Sequence, residues 1–370
     1  MVNDFIKADL WPGIKICEDD FLQAYLVFEP FNNKKMEDLM KAIVLSDQTL
    51  KVQHVKRPQK AETDHLIIKM ISSAINSGDK FFLKHPTPPG MTESLYHIKG
   101  VSGVGTVVQI GEGVSPDYLG KNVTIYRNLK YSETVVGTWC AYSHVHFLDC
   151  AILPDSVNPE DYSGSMVNII TPFAFYKQII NEGHRGILCT AGNSATGIAL
   201  LGICLTYNFP LISIVRNAES KKELEELGAR NVVVQSEENF SLQLKEMAQE
   251  LKTTAIFDGV GGEILNKIID SLPHNSVIYC YGYIGDQVPL TIHTSTLSLK
   301  KLMIKPFSNL QTSTVQDPKN LAKALEDIAG FIHMPHFKTK TGKRFRFEEI
   351  NDALLFATVK GKKAILSSEL

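Results

Sequence analysis

The sequence predicts an α/β protein: a mostly antiparallel, barrel-like β domain joined to a doubly wound parallel-sheet domain. The first half of that prediction rests on residues 40–155. There, short β-rich runs such as KAIVLSD, TLKVQHV and HLIIKMIS are separated by turn residues. The second half rests on residues 185–285, where apolar runs alternate with helix-forming stretches. That alternation is the pattern of parallel strands covered by helices on both faces. A further sign is ILCTAGNSATGIALLGICL, which reads as a buried strand, a turn of small residues and a helix.

GVGTVVQIGEG, KNVTIYRN and GTWCAYSHVHFLDCAILP continue the β domain. Near residue 160 the character changes, because Pro159, Glu160 and Asp161 precede an apolar-periodic stretch and predict a helix start. GILCTAG is then a predicted strand, 195–208 a helix and LISIVRN a strand. ESKKELEELGAR is a helix closed by Gly228, the residue type favoured just past a helix end. NVVVQ, TTAIFDGV and SVIYCYG are strands, with helices over 240–252 and 262–271 between them. The tail, from KLMIKPF through FRFEEINDALLFATVKG to KKAIL, returns to mixed β character and is expected to rejoin the first domain.

The chain has 370 residues, 44% apolar and 21% charged, which suits about two domains of roughly 150 residues each. A net charge of −2 gives no global basic field, so no nucleic-acid partner is expected. No apolar run reaches the roughly 18 residues that cross a bilayer, and no membrane partner is expected. MVNDFIKADLWPGIKICEDD lacks a basic region followed by an apolar core, and it is acidic without arginine, so no targeting peptide is expected. The cysteines, at 17, 140, 150, 189, 204 and 280, form no C-x-x-C pair. Reduced, buried thiols in a cytoplasmic protein are expected. Residues 1–39 read as an N-terminal extension with eight acids against four lysines. Its aromatics, among them Trp11, Phe21 and Phe31, are expected to pack rather than stay disordered.

The turn Ala191-Gly192-Asn193-Ser194-Ala195-Thr196-Gly197 gains meaning from its place between strand and helix. Unpaired N–H groups and the positive dipole end of a helix favour an anion, and small residues let it come close. The turn is not G-x-G-x-x-G; the β-α steps behind it are what point to a dinucleotide. The second strand ends in Ile214-Val215-Arg216-Asn217, with no acid to accept bonds from a ribose. An arginine there suits a 2′-phosphate, so NADPH is expected. Lys221 either adds to that anion site or belongs to a solvated helix face. Asp258, in Phe257-Asp258-Gly259-Val260-Gly261-Gly262, is expected to order its glycine turn.

Several stretches occur in a shared order: Met40-Lys-Ala-Ile-Val, Ala74-Ile-Asn-Ser-Gly-Asp79, Gly100-Val-Ser-Gly-Val-Gly-Thr-Val-Val-Gln-Ile-Gly111, Gly137-Thr-Trp-Cys-Ala-Tyr142, Val167-Asn-Ile-Ile-Thr171 and Phe347-Glu-Glu-Ile-Asn-Asp-Ala353. With these, residues 40–370 resemble the medium-chain dehydrogenases/reductases, in their zinc-free quinone-reductase and 2-enoyl thioester reductase branch. The resemblance implies a GroES-like catalytic domain over 40–165, completed by 306–370, and a Rossmann domain over 166–305. It implies a site between them, with Asn76, Asn168 and Thr171 near the nicotinamide and the loop Tyr281-Gly282-Tyr283 beside it. It also implies a homodimer through Rossmann edge strands, placed at 287–294.

Zinc-bearing members of that family carry Cys near position 76, Gly-His-Glu near 100–102 and Cys or Asp near 168. This chain has Asn76, Gly100-Val101-Ser102 and Asn168, so no metal is expected. The enoyl thioester reductases carry a tyrosine where Thr87 is nearest here. The expected activity is therefore zinc-independent, NADPH-dependent reduction of a small-molecule quinone, enone or other activated alkene. Enoyl thioester reduction and a non-catalytic NADPH-binding scaffold are the alternatives. Without a Lewis acid, the developing oxyanion must be met by hydrogen bonds. Asn76, Tyr96, Tyr126, Tyr283 and His85 are candidate donors, and Asn76 and Tyr283 are the leading catalytic candidates. Asn168, Thr171, Asn193, Ser194, Ala195, Thr196, Gly197, Arg216, Lys221 and Gly282 are the expected cofactor-binding residues.

Overall fold

The computed structural model describes residues 38–85, 93–285, 288–356 and 361–367. The expectations for Cys17, for the aromatics of the N-terminal extension and for Thr87 in its Pro-rich segment fall outside these residues.

The β runs form the strands that their composition favours. A two-stranded ribbon joins β1 (Leu39–Ser46) to β2 (Thr49–Lys56) through Asp47 and Gln48. Both turn residues hold positive φ, 50° and 59°, as tight hairpins require. The spine of the next sheet is β3 (His65–Ala74), which pairs antiparallel with β4 (Ser102–Ile110) and with β6 (Tyr142–His146). Two more antiparallel steps add β5 (Asn122–Tyr126) and β7 (Cys150–Ile152). Alternate residues Leu66, Ile68 and Met70 of β3 meet Val123, Ile125 and Val145 in one apolar core. The chain's last segments then return to this sheet. Strand β15 (Lys363–Ser367) pairs antiparallel with β3, and β14 (Thr341–Arg346) lies parallel beside β15.

A separate parallel sheet contains β8 (Ile187–Cys189), β9 (Leu211–Val215), β10 (Val232–Val234), β11 (Ala255–Asp258), β12 (Val277–Cys280) and β13 (Met303–Pro306). Its spatial order is β10-β9-β8-β11-β12-β13, the doubly wound order whose direction switches between β8 and β11. Side chains alternate between two cores. Cys189, Phe257 and Tyr279 face one, and Leu188, Ile256 and Ile278 face the other.

Three local expectations change. The helix expected from Pro159 starts later, at Ser165, because residues Pro159–Tyr162 close a short 3-10 turn capped by Asn158. The run KLMIKPF does not return to the β domain; its Met303–Pro306 is the sixth parallel strand, brought there by the helix Thr294–Lys300. The segment 288–293 contains no strand, so the edge placed at 287–294 moves to β13, where Met303 is 57% and Ile304 41% exposed.

One cluster in the β domain carries a pH prediction. The His65 ring stacks on His144 at 4.8 Å and meets His146 edge-on at 5.4 Å. Burial and then His65 push the His146 imidazole down to about 4, with Asp64 opposing and Lys130 adding to the shift. Burial also lowers His144, against its bond to the Thr134 carbonyl. Both rings therefore hold a proton less tightly in the folded protein than in the unfolded chain. The stabilising difference is complete above the ordinary histidine range and is lost as pH falls through that range toward about 4. The urea midpoint is expected to fall between pH 7 and 4.5, and the fall to be smaller for His146→Gln. Equal falls in both proteins would refute this origin.

Candidate active site

The carboxyl ends of the parallel strands open onto a cavity of about 940 Å³, which is also lined by Asn76 just past β3, by Lys363 of β15 and by Asn168 and Thr171 from the helix Ser165–Asn181. One end is the small-residue turn. β8 stops at Cys189, and the chain runs through Ala191, Asn193 and Ser194 into the helix Ala195–Thr206. Ser194 caps that helix by accepting the Gly197 N–H at 3.0 Å. The N–H groups of Ala195 and Thr196 belong to the first turn, which has no intrahelical acceptors, and both residues line the cavity. Gly197 sits behind the turn. A Cβ there would lie 2.2 Å from the Ala191 oxygen and 2.5 Å from that of Gly192.

Arg216 follows β9, is exposed and lines the cavity. Asn193 Nδ2 donates to Ser220 Oγ at 2.9 Å, tying the turn to the helix that follows Arg216. Lys221 is on that helix but not in the lining. Asp258 closes the floor between the two halves of the parallel sheet. Its carboxylate accepts the Thr190 hydroxyl at 2.6 Å and the N–H groups of Val260 and Gly261 at 3.1–3.2 Å. It orders the glycine turn, as its setting in the sequence suggests.

At the other end Asn76 precedes the short helix Ser77–Phe82. Its backbone N–H donates to Asp79 Oδ2 at 2.8 Å, and its Nδ2 donates to Asp79 at 3.0 Å and to Ser102 Oγ at 2.8 Å. Its Oδ1 accepts from Lys363 Nζ at 2.5 Å. Burial raises the Asp79 carboxyl above its usual range, against its bonds to Asn76 and the charges of Lys363 and Arg127. Asn168 and Thr171 line the cavity while bonding back to their own helix, at the Gly164 and Val167 carbonyls. Among the described residues, no three His, Cys, Asp or Glu side chains converge as a metal would need.

Asn76, Asn168, Thr171, Asn193, Ser194, Ala195, Thr196, Arg216 and Gly282 thus share one cavity, whereas Gly197, Lys221 and Tyr283 do not line it. Tyr283 is 72% exposed and meets the edge of Phe81. After Tyr281 the chain turns back, with Ile284 and Gly285 bonding to the Gly259 and Val260 carbonyls. Tyr281 lines the cavity instead, stacked on Phe257 at 3.9 Å. His85 stacks on Phe81 and bonds to its carbonyl, and Tyr126 is buried, its hydroxyl pushed up to about 12 chiefly by burial. Tyr96 is exposed. Lys363 and Asn309 line the cavity without any local motif to announce them.

No family model matches the chain. It is similar to the quinone oxidoreductase of Salmonella typhimurium, 23% identical over 196 residues, or 53% of this chain and 57% of that protein. It is similar to the mitochondrial enoyl-[acyl-carrier-protein] reductase of Yarrowia lipolytica, 27% identical over 247 residues, or 64% and 62%. The matches thus span little more than half the length of these relatives. A solved mycobacterial protein complexed with NADPH superposes with a TM-score of 0.64 at 19% identity, covering 89% of this chain and 99% of that one. Strand order, the paired sheets and these likenesses identify the architecture: the chain has the medium-chain dehydrogenase/reductase fold.

Proposed function

We propose that the chain is an NADPH-dependent oxidoreductase that reduces a quinone, enone or other activated alkene without zinc. The observation that carries this reading is the single cavity that runs from the helix N-terminus at Ala195 and Thr196, past Arg216, to the polar group around Asn76. A dinucleotide fits it from the protein's side. The first-turn N–H groups suit a pyrophosphate. Arg216, at a strand end without an acid, suits a 2′-phosphate. Bound there, the cofactor would supply a hydride; the protein orients the acceptor, excludes water and meets the developing charge. Asn76, Val101-Ser102 and Asn168 stand where zinc-bearing members of the fold carry Cys, His-Glu and Cys or Asp, and amides, a hydroxyl and an apolar side chain make a poor zinc set. The likeness to quinone oxidoreductases supports the substrate class.

Likeness to an enoyl-[acyl-carrier-protein] reductase supports a second reading, reduction of an enoyl thioester. NADPH oxidation with a 1,4-naphthoquinone, an enone and crotonyl thioester separates these, and NADPH binding without turnover of any would leave a scaffold. Cofactor choice has its own test. Arg216→Glu is expected to weaken NADPH binding by about 10- to 100-fold, the loss of one or two charge-assisted bonds, and to leave NADH nearly unchanged. Equal NADPH binding by wild type and variant would refute the role of Arg216.

The exposed edge at Met303 and Ile304 suits self-pairing into a homodimer; light scattering after gel filtration tests it, and a monomer at micromolar concentration would refute it. The free cysteines at 140, 150, 189, 204 and 280 suit a reducing compartment such as the cytoplasm. Among the described residues no helix is long and apolar enough to cross a membrane.

A further inference from the structure

We propose that Lys363 is a catalytic residue of this site, whose Nζ–H bonds the carbonyl oxygen of the acceptor and gives it a proton as the reduced acceptor forms. The proposal rests on the reductase reading above.

Lys363 opens β15, and the pairing of that strand with β3 brings it beside Asn76: the Ile75 N–H donates to the Ala364 carbonyl at 3.0 Å. The side chain is held in a built slot. Nζ donates to Asn76 Oδ1 at 2.5 Å and to the Gly164 carbonyl at 3.3 Å. Gly164 lies against this slot: a Cβ there would stand 2.6 Å from the Ala74 Cβ and 3.2 Å from Nζ of Lys363, so the small residue leaves the lysine its room. Asn76 cannot rotate away, because its Nδ2 is engaged by Asp79 and Ser102. Two of the three ammonium N–H groups are thereby used, and the third is left for an acceptor in the cavity that Lys363 lines.

The other cations of the lining are placed differently. Lys80 donates to the Phe356 carbonyl at 3.2 Å, Lys267 pairs with Glu263 at 3.0 Å, and Arg216 stands at the end of β9. The charge that acts on Lys363 is Asp79, whose carboxylate favours the ammonium; Asp79 in turn feels both Lys363 and Arg127. Burial brings the Lys363 ammonium down to about 8, with Asp79 opposing. It is thus charged at neutral pH and a far stronger acid than an exposed lysine.

The step balances within this site. When hydride reaches the acceptor carbon, its π electrons move to the carbonyl oxygen. The new O–H bond forms as the Nζ–H bond breaks, leaving an enol and a neutral amine, which takes its next proton from water; from a quinone that enol is the keto tautomer of the hydroquinone, which it becomes as the sp3 carbon loses a proton to water and the remaining carbonyl oxygen gains one.

The test compares the full chain with Lys363→Met and Lys363→Arg, using NADPH with an enone and a 1,4-naphthoquinone. Lys363→Met is expected to lower kcat at saturating NADPH by about 100-fold, within the range of one acid or oxyanion donor. Its NADPH dissociation constant, read by nicotinamide fluorescence, is expected to stay within about twofold. Wild-type kcat is expected to fall as pH rises through about 8; Lys363→Met loses this limb, and Lys363→Arg moves it upward while recovering part of the rate. NADPH affinity lost with kcat intact would make Lys363 a cofactor ligand and overturn the proposal, as would a variant unchanged in both. If Lys363→Met fails to fold, a wild-type kcat flat across that pH range overturns it. Wild-type enzyme that binds NADPH but reduces neither substrate overturns the reductase reading and this proposal together, whereas turnover with Lys363→Met intact overturns only this one.

Discussion

Gly197→Ala is expected to lower stability by about 1–3 kcal/mol and to weaken NADPH binding by about tenfold or more. The reason is space in two directions at once. The added Cβ would stand 2.2 Å from the Ala191 oxygen and 2.5 Å from the Gly192 oxygen. Both obstacles are backbone, so neither can swing aside as a side chain would. Either the helix Ala195–Thr206 backs away from the turn or the turn itself opens. Both movements displace Ala195 and Thr196, which line the cavity, and both strain the Ser194 cap that holds the Gly197 N–H. Urea unfolding and fluorescence titration of NADPH measure the two effects separately. A variant with unchanged midpoint and unchanged affinity would show that the helix does not need this close approach.

The difference between this glycine and Tyr283 shows what could be read from the chain. Gly197 belongs to a local unit in which strand, turn and helix are contiguous, so its role follows from sequence order. The inner parallel strands are legible for a similar reason, since a strand buried on both faces is written as a continuous apolar run: ILC, LISIV, VVV and AIFD are buried throughout. β13 is an edge strand with Met303, Ile304 and Pro306 exposed, and its lysine and proline disguise it. Tyr281 and Tyr283 are two positions apart and equal as letters. Tyr281 is held in the cavity by its N–H bond to the Asp258 carbonyl and its stack on Phe257, and the bonds of Ile284 and Gly285 turn the chain back beyond Tyr283. Lys363 is less legible still. It lies 287 residues from Asn76, and sheet pairing alone joins them. The resemblance to a known family supplied Asn76, Asn168 and Thr171, and the structure gathers these in one lining. No residue pattern of the chain itself would have grouped them.

Asp258→Ala is expected to be the costliest single change in the floor of the cavity, at roughly 3 kcal/mol or more. The carboxylate is 1% exposed and serves the Thr190 hydroxyl together with the Val260 and Gly261 N–H groups. Truncation leaves these donors without the acceptor that served them, and a buried unpaired donor costs about 1–3 kcal/mol. The Gly259 N–H still donates to the Thr190 hydroxyl at 3.2 Å, so the loss falls on the bonds of Thr190, Val260 and Gly261 to the carboxylate. Burial nevertheless raises the Asp258 carboxyl above its usual range, so its hydrogen bonds do not fully offset the desolvation of the charge. A neutral amide of the same shape should therefore do better than alanine. In Asp258→Asn, Oδ1 keeps Thr190 and Val260, and only the contact of Oδ2 with the Gly261 N–H, 3.1 Å in the native site, becomes donor against donor. The expected order of urea midpoints is wild type, then Asn, then Ala, with NADPH affinity falling in the same order. If asparagine proves as damaging as alanine, the negative charge itself holds the turn, and ordering by hydrogen bonds alone is the wrong account.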